Sequence, residues 1–192
     1  MSLPGHVPEV AVALAVDADA AVPVAVDADA GVDVAAQLVA ILIERGLTVA
    51  VAESLTGGLL AANLVRIPGV SAVFNGGVVV YNTALKASIL GVDASLLAQF
   101  GPVHPAVAQQ MAENVRRVLS VDGIPARVGL STTGVAGPGA QDGHPVGTVF
   151  IGIAIDDWYI GAELHLTGGR EAIRLAVVSE VLSTLKTKLE SN

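Results

Sequence analysis

The sequence predicts an α/β fold: a three-layer α/β/α domain whose mixed, mostly parallel sheet ends in a C-terminal β-hairpin plus helix. Three observations predict it. Short apolar runs alternate with helical patterns over residues 34–131, as they do when crossover helices join parallel strands. Two β-rich runs, 149–155 and 158–166, are separated only by Asp156-Asp157, and so short a gap makes a hairpin, hence an antiparallel pair. A helical stretch from about Arg170 to Leu189 then closes the chain.

Each element has its own warrant. Asp33 caps a helix that carries Val34, Leu38, Ile41 and Leu42 on one face, and Gly46 ends it. Residues 48–52 are a short apolar strand. Glu53-Ser54-Leu55-Thr56-Gly57-Gly58 is a turn that opens a helix running to about Arg66. Residues 78–81 read as the second strand, and Asn82 caps a short helix over 83–90. Another short helix follows Asp93, and Pro105 starts a longer one to about Leu119. Residues 128–131 are the third strand, followed by a glycine-rich loop from Gly134 to Gly147. Ligands in open α/β sheets sit at the carboxyl ends of strands. Those ends carry Ser54, Tyr81 and Thr133, so chemistry is expected along one edge.

Composition bounds the function. The chain has 192 residues, enough for one domain, and 53% are hydrophobic, enough for a real core. Only 3% are aromatic, so that core is built of Ala, Val, Leu and Ile. With no cysteine there is no disulfide scaffold, thiolate zinc site or thiol nucleophile. A net charge of −8 argues against binding nucleic acid or an anionic membrane, both of which need a basic surface. Mean hydropathy is +0.67, yet no apolar run reaches the roughly 18 residues of a membrane span. The first residues carry no Lys or Arg, unlike a secretory leader, and a cytoplasmic setting is expected.

Residues 1–32 read as an acidic, Ala/Val-rich appendage, and 33–192 as the main domain. Residues 1–33 hold Glu9, Asp17, Asp19, Asp27, Asp29 and Asp33 and no base. Ala15-Val16-Asp17-Ala18-Asp19-Ala20 recurs as Ala25-Val26-Asp27-Ala28-Asp29-Ala30. Apolar residues at even positions from Val10 to Val16, and again from Val22, alternate as in a strand broken near Pro23. Such a segment could add to this sheet or to a partner's. The Asp-x-Asp steps raise a divalent-cation reading, but the glycine-containing loop and distal Glu of a calcium loop are missing, and no metal is expected. Met1-Ser2-Leu3 fits an expression scar.

Several residues are placed for chemistry. Ser54 stands where a strand gives way to a helix, with Thr56, Gly57 and Gly58 able to leave amides exposed toward an oxyanion. By spacing alone an ordinary N-cap serine is the favoured alternative. Lys86 is the only lysine within the body of the domain, since Lys186 and Lys188 lie in the terminal helix. Flanked by Leu85, Ala87, Ile89 and Leu90, it could be desolvated into a base, or be a surface lysine on an amphipathic helix. A Ser–Lys pair activates a hydroxyl without histidine. Tyr81 could relay a proton or fix the lysine, or bury its ring in the core.

The loop Gly134-Val135-Ala136-Gly137-Pro138-Gly139 is similar to an anion nest, but it leads into a strand and has neither the P-loop nor the dinucleotide pattern. Thr167-Gly168-Gly169-Arg170 opens the last helix, where an arginine beside the free amides favours an anion; pairing of Arg170 with Glu171 or Asp142 is the simpler alternative. His6, His104, His144 and His165 lack metal spacing, and only His144 is held as a possible substrate contact.

Taken together, five ordered motifs resemble the CinA C-terminal domain family, the nicotinamide-nucleotide amidases. They are Ala52-Glu53-Ser54-Leu55-Thr56-Gly57-Gly58; Gly77-Val78-Val79-Val80-Tyr81-Asn82 with Lys86; Gly134-Val135-Ala136-Gly137-Pro138; Pro145-Val146-Gly147-Thr148-Val149; and Gly169-Arg170. The match spans about residues 34–190. It implies hydrolysis of the carboxamide of nicotinamide mononucleotide to nicotinic acid mononucleotide and ammonia. The family's nucleophile falls on Ser54, and its lysine and tyrosine on Lys86 and Tyr81. Amides near Thr56, Gly57 and Gly58 would hold the oxyanion. Gly134, Ala136, Gly137, Pro138 and Arg170 would bind the nucleotide.

No metal or organic cofactor is implied, and a cytoplasmic homo-oligomer is. Leu55 stands where Cys is usual, His144 where Lys is common, Gly169 where Asp is common, and Gly139-Ala140 where a Gly-Gly pair is frequent. These departures bear on nucleotide contacts more than on the serine chemistry. They keep open a second reading, a non-catalytic nucleotide- or partner-binding module on the same fold. The larger N-terminal domain of full-length relatives has no counterpart in the first 33 residues, so a stand-alone form is expected.

Overall fold

A computed structural model describes residues 11–16 and 33–191. Their order is β1 (Ala11–Val16), α1 (Val34–Arg45), β2 (Val49–Glu53), α2 (Leu59–Val65), a 3-10 turn (Val70–Ala72), β3 (Phe74–Val79), α3 (Thr83–Ser88), α4 (Ala94–Phe100), α5 (Pro105–Val118), β4 (Val128–Gly134), β5 (Thr148–Ile155), β6 (Trp158–Leu166) and α6 (Arg170–Glu190). The strands form one sheet in the order β1-β6-β5-β4-β2-β3. Neighbours β2 and β3, β2 and β4, and β1 and β6 are parallel. β5 alone runs against its neighbours β4 and β6. The sheet is therefore mixed and mostly parallel, and the hairpin turns at Asp156-Asp157.

Helices cover both faces. α1, α2 and α6 pack together on one side over Val49, Val51, Leu130, Ile151 and Ile153. α5 covers the other side, where Val107, Met111 and Val115 meet Ala50, Ala52 and Val80. β2 is buried along its whole length, which is why its sequence is a continuous apolar run instead of an alternating one. α5 lies close against the sheet because two strand glycines admit it. A Cβ on Gly129 would sit 1.9 Å from the Ala112 carbonyl oxygen, and one on Gly152 would sit 2.7 Å from that of Ala108.

Local signals set the helix ends. The Asp33 carboxylate accepts from the Ala35 amide at 3.0 Å and the Ala36 amide at 3.4 Å, while Gly46 takes a left-handed conformation at the other end. His104 caps α5, its Nδ1 accepting from the Ala106 amide at 3.2 Å. His165 lies exposed on β6, 3.3 Å from Glu163.

Two expectations change, and one of the two readings of the N-terminal alternation is met. The second strand begins at Phe74 and ends at Val79, so Tyr81 lies beyond it. Gly76 and Gly77 hid its start, because they read as a turn yet sit in the ladder opposite Ala50 and Val51. β4 continues to Gly134, paired with Val149, so the glycine loop starts one residue later. Residues 11–16 of the expected appendage are a strand of this sheet, parallel to residues 161–166 of β6. The paired aspartates at 17, 19, 27 and 29, the alternation after Pro23, His6 and Met1-Ser2-Leu3 lie outside the described residues.

Candidate active site

The site lies at the carboxyl ends of β2, β3, β4 and β6. β2 ends at Glu53, and Ser54 is held at the strand end by its amide, which donates to the Thr132 carbonyl of β4 at 3.0 Å. The chain then turns through Gly57 and Gly58, both at positive φ, into α2. Glu53, only 1% exposed, braces this turn from beneath. Its carboxylate accepts from the amides of Gly58 at 2.9 Å, Leu60 at 3.1 Å and Ala61 at 2.8 Å, the free donors of a helix start. Thr56 is buried, with its hydroxyl 2.8 Å from that of Thr132.

Two of the three expected oxyanion donors are taken up within the turn. The Gly58 amide is taken by Glu53, and the Gly57 amide donates back to the Ser54 carbonyl at 3.1 Å. Among the described residues nothing accepts from the amides of Leu55 and Thr56, directly after the serine, and of the two only Leu55 lines the cleft.

Lys86 reaches the same point from α3. Asn82 caps that helix, accepting from the Ala84 amide at 2.9 Å. Lys86 is 0% exposed, the largest fully buried side chain among the described residues. Its Nζ donates to Ser54 Oγ at 2.9 Å and to the Val80 carbonyl at 2.8 Å. Neither partner is a carboxylate. Burial therefore acts unopposed and pushes the ammonium pKa down to about 8.

A cleft of about 520 Å³, counted to its open mouth, covers this pair. Its walls include Ser54, Lys86, Thr133, Gly134, Ala136 and Gly137, with Tyr81 and Arg170 at the rim. No Asp or Glu among the described residues lines it, so in a protein of net charge −8 the charges on its described walls are the positive ones of Lys86 and Arg170. Arg170 donates to the Gly137 carbonyl at 2.7 Å and to the Tyr81 hydroxyl at 2.9 Å, with no carboxylate of the described residues on it.

That contact corrects the expected role of Tyr81. Its ring is 58% exposed and its hydroxyl is bonded to Arg170 instead of Lys86, because the chain has left β3 two residues earlier. Thr56, Gly57, Gly58 and Pro138 do not line the cleft. Neither does His144, whose ring stands edge-on to Phe150. Glu53, Thr132 and Arg174 were not singled out from the sequence. An acid just before a glycine turn signals Glu53, and Arg174 lies one helical turn beyond Arg170.

A family model for the CinA C-terminal domain matches residues 32–189. A CinA-like protein of Frankia casuarinae is 46% identical over 152 residues, 79% of this chain and 34% of that protein. A putative competence-damage inducible protein of Desulforamulus reducens is 46% identical over 150 residues, 78% of this chain and 35% of that one. The chain thus spans about a third of the length of the curated relatives it matches. Among solved structures, a competence-damaged protein (CinA) superfamily protein from Klebsiella pneumoniae superposes with TM-score 0.78 at 30% identity, covering 83% of this chain and 98% of that one. A competence/damage inducible protein from Agrobacterium tumefaciens gives TM-score 0.74 at 33% identity, covering 83% and 97%.

Proposed function

Because this chain belongs to the CinA C-terminal domain family, we propose that it hydrolyses the carboxamide of nicotinamide mononucleotide, releasing ammonia and nicotinic acid mononucleotide. The observation that carries the reading is the 2.9 Å approach of buried Lys86 Nζ to Ser54 Oγ. A neutral amine has two N–H groups and one lone pair. The Val80 carbonyl takes an N–H, leaving the lone pair for the serine proton.

The steps follow from that geometry. Lys86 removes the Ser54 proton as Oγ bonds to the amide carbon. The carbonyl oxygen becomes an oxyanion, received by the unpartnered amide of Leu55, a residue of the cleft wall. The C–N bond breaks as Lys86 returns its proton to the leaving nitrogen, and ammonia departs. Water, losing a proton to Lys86, then bonds to the acyl carbon, and as the C–Oγ bond breaks Lys86 returns that proton to Ser54 Oγ and the acid is released. Arg170, without a carboxylate partner, is assigned the nucleotide phosphate. Tyr81 holds that arginine at the rim.

The proposed setting is cytoplasmic, with a small nucleotide as ligand and neither nucleic acid nor membrane as partner. The acidic net charge favours this, and no helix among the described residues is long and apolar enough to cross a membrane. A homo-oligomer is also proposed. Supporting it, Ile67 to Val92 contain one charged residue, Lys86, which is buried, so the outer edge formed by β3 and α3 presents no charge.

Ammonia release from nicotinamide mononucleotide tests the reaction. Native turnover should fall at least about 10³-fold in Ser54→Ala and in Lys86→Ala. Folded native protein that binds the nucleotide without turnover would leave a binding module. Turnover surviving Ser54→Ala would mean another nucleophile.

A further inference from the structure

Lys86 is a buried cation with no counter-ion among the described residues. Its Nζ is bonded to Ser54 Oγ at 2.9 Å and to the Val80 carbonyl at 2.8 Å, both uncharged. The elements around it bring no anion. β2 brings Ser54 but turns Glu53 to its opposite face, onto the amides of α2. β4 brings Thr133, whose hydroxyl donates to the Pro102 carbonyl at 2.7 Å. The segment before α5 brings Pro102 and Val103, and the glycine loop brings Gln141. Tyr81 is bonded to Arg170 at the rim. Arg174, from the next turn of α6, is spent on the Leu55 carbonyl at 3.1 Å, the Thr56 carbonyl at 2.9 Å and Glu171. A buried charge without a counter-ion is costly, and a ligand that brings an anion to this point removes the cost.

The proposed reaction makes such an anion there. The acyl carbon is bonded to Ser54 Oγ, which lies 2.9 Å from Nζ, so the carboxyl group formed when the C–Oγ bond breaks is beside the amine. A carboxylic acid titrates near about 4 and Lys86 at about 8. The carboxyl O–H bond therefore breaks, its proton bonds to the Nζ lone pair, and a carboxylate beside an ammonium remains. The substrate carboxamide is uncharged and forms no such pair. We infer that Lys86 and Ser54 together are a carboxylate-binding site, which holds the acid product more tightly than the amide substrate and makes the chain subject to inhibition by its own product until Lys86 loses its proton. Substrate and product share ribose and phosphate, so Arg170 meets both alike and only the group at Ser54 differs. Below about pH 8 the free protein already holds the Lys86 proton, and the acid binds at full strength. Above it the acid must bring a proton in from solvent, so its affinity falls by about tenfold per pH unit until the lysine of the complex titrates as well.

This rests on the serine amidase reading, and the test separates the two. Nicotinic acid mononucleotide would be titrated calorimetrically into the native chain from about pH 6.5 to about pH 9.5, in two buffers of different ionisation enthalpy. Ser54→Ala, with turnover removed, would be titrated with both this acid and nicotinamide mononucleotide. At pH 7 the acid should bind Ser54→Ala at least about tenfold more tightly than the amide does. On the native chain its affinity should fall about tenfold from pH 7 to pH 9, where binding takes up about one proton from the buffer. The amide should take up none. Lys86→Met should bind the two nucleotides within about twofold of each other at every pH, with no proton uptake. Equal affinities for acid and amide on Ser54→Ala at pH 7 overturn the inference. So does acid binding to the native chain that neither weakens above pH 8 nor takes up a proton, a result that stands whether or not Lys86→Met folds. Ammonia release without a preference for the acid sinks the carboxylate site alone. The preference without ammonia release sinks the hydrolysis reading alone, and a chain that binds neither nucleotide overturns both.

Discussion

Lys86 carries opposing demands on one side chain. Its charge has no carboxylate near it, and burial lowers its pKa from 10.5 to about 8. At pH 7 about a tenth of the molecules hold it neutral, against fewer than one in a thousand for an exposed lysine. Turnover limited by the free base should therefore rise about tenfold from pH 7 to pH 9, and a pH–rate profile checks this. Stability responds over a related window. Below about pH 8 the folded and unfolded chains both hold the proton, and the cost of burying the charge is fully present. Between about 8 and 10.5 the unfolded chain still binds a proton that the folded chain has lost, so this group makes the protein more stable as pH rises. Lys86→Met should abolish turnover and raise stability at pH 7 by about 1–2 kcal/mol, measured by urea unfolding. A destabilised Lys86→Met would mean that the bonds to Ser54 and Val80 outweigh the buried charge.

Among the elements, the β2–α2 turn is the one the chemistry depends on. The Glu53 carboxylate satisfies three amides at the start of α2, and nothing else in the fold reaches them. Glu53→Gln keeps the volume but removes the charge and turns an NH2 toward one of those donors. The loss should be about 2 kcal/mol in unfolding free energy, with activity falling further than Lys86 titration explains. Unchanged stability on chemical denaturation would show that the turn holds by Arg174 and Thr132 alone. The existence and order of the main-domain elements were legible in the sequence, because Asp33, Asn82, Asp93 and Pro105 sit at the starts of their helices. The start of β3 was not legible. Gly76 and Gly77 signal a turn locally, and they are in the sheet because β2 beside them supplies the ladder.

The whole molecule is acidic, yet one edge is neutral. Two copies of net charge −8 repel, and they approach at least cost where neither presents charge. β3 is an edge strand of the sheet formed by the described residues, and Val79, Leu85 and Ile89 are exposed on this side. If the proposed homo-oligomer uses it, Ile89→Glu should weaken self-association at least about tenfold, about 1.4 kcal/mol, in sedimentation equilibrium. A native chain that stays monomeric at every concentration would remove the oligomer, and an unaffected Ile89→Glu would move it to another surface. Tyr81 stands between this edge and the cleft, so association there would also restrict the rim.

The sequence by itself determined what short-range chemistry can encode. Periodicity gave the strands and helices, a two-residue gap gave the hairpin, and the ordered motifs around Ser54, Lys86 and Arg170 gave the family. It singled out Ser54 and Lys86, but spacing alone could not separate a nucleophile from a cap, or a base from a surface lysine. Only the tertiary structure brought the two side chains within hydrogen-bond reach. Ser54 and Lys86 are 32 residues apart and come from a strand end and a helix, and they meet because β2 and β3 end side by side. Tyr81 went to Arg170, and the Gly57 and Gly58 amides to Ser54 and Glu53. A hydrogen bond goes to whichever acceptor packing brings within about 3 Å, and burial, which lowers the Lys86 pKa, belongs to the assembled core and to no local stretch of chain.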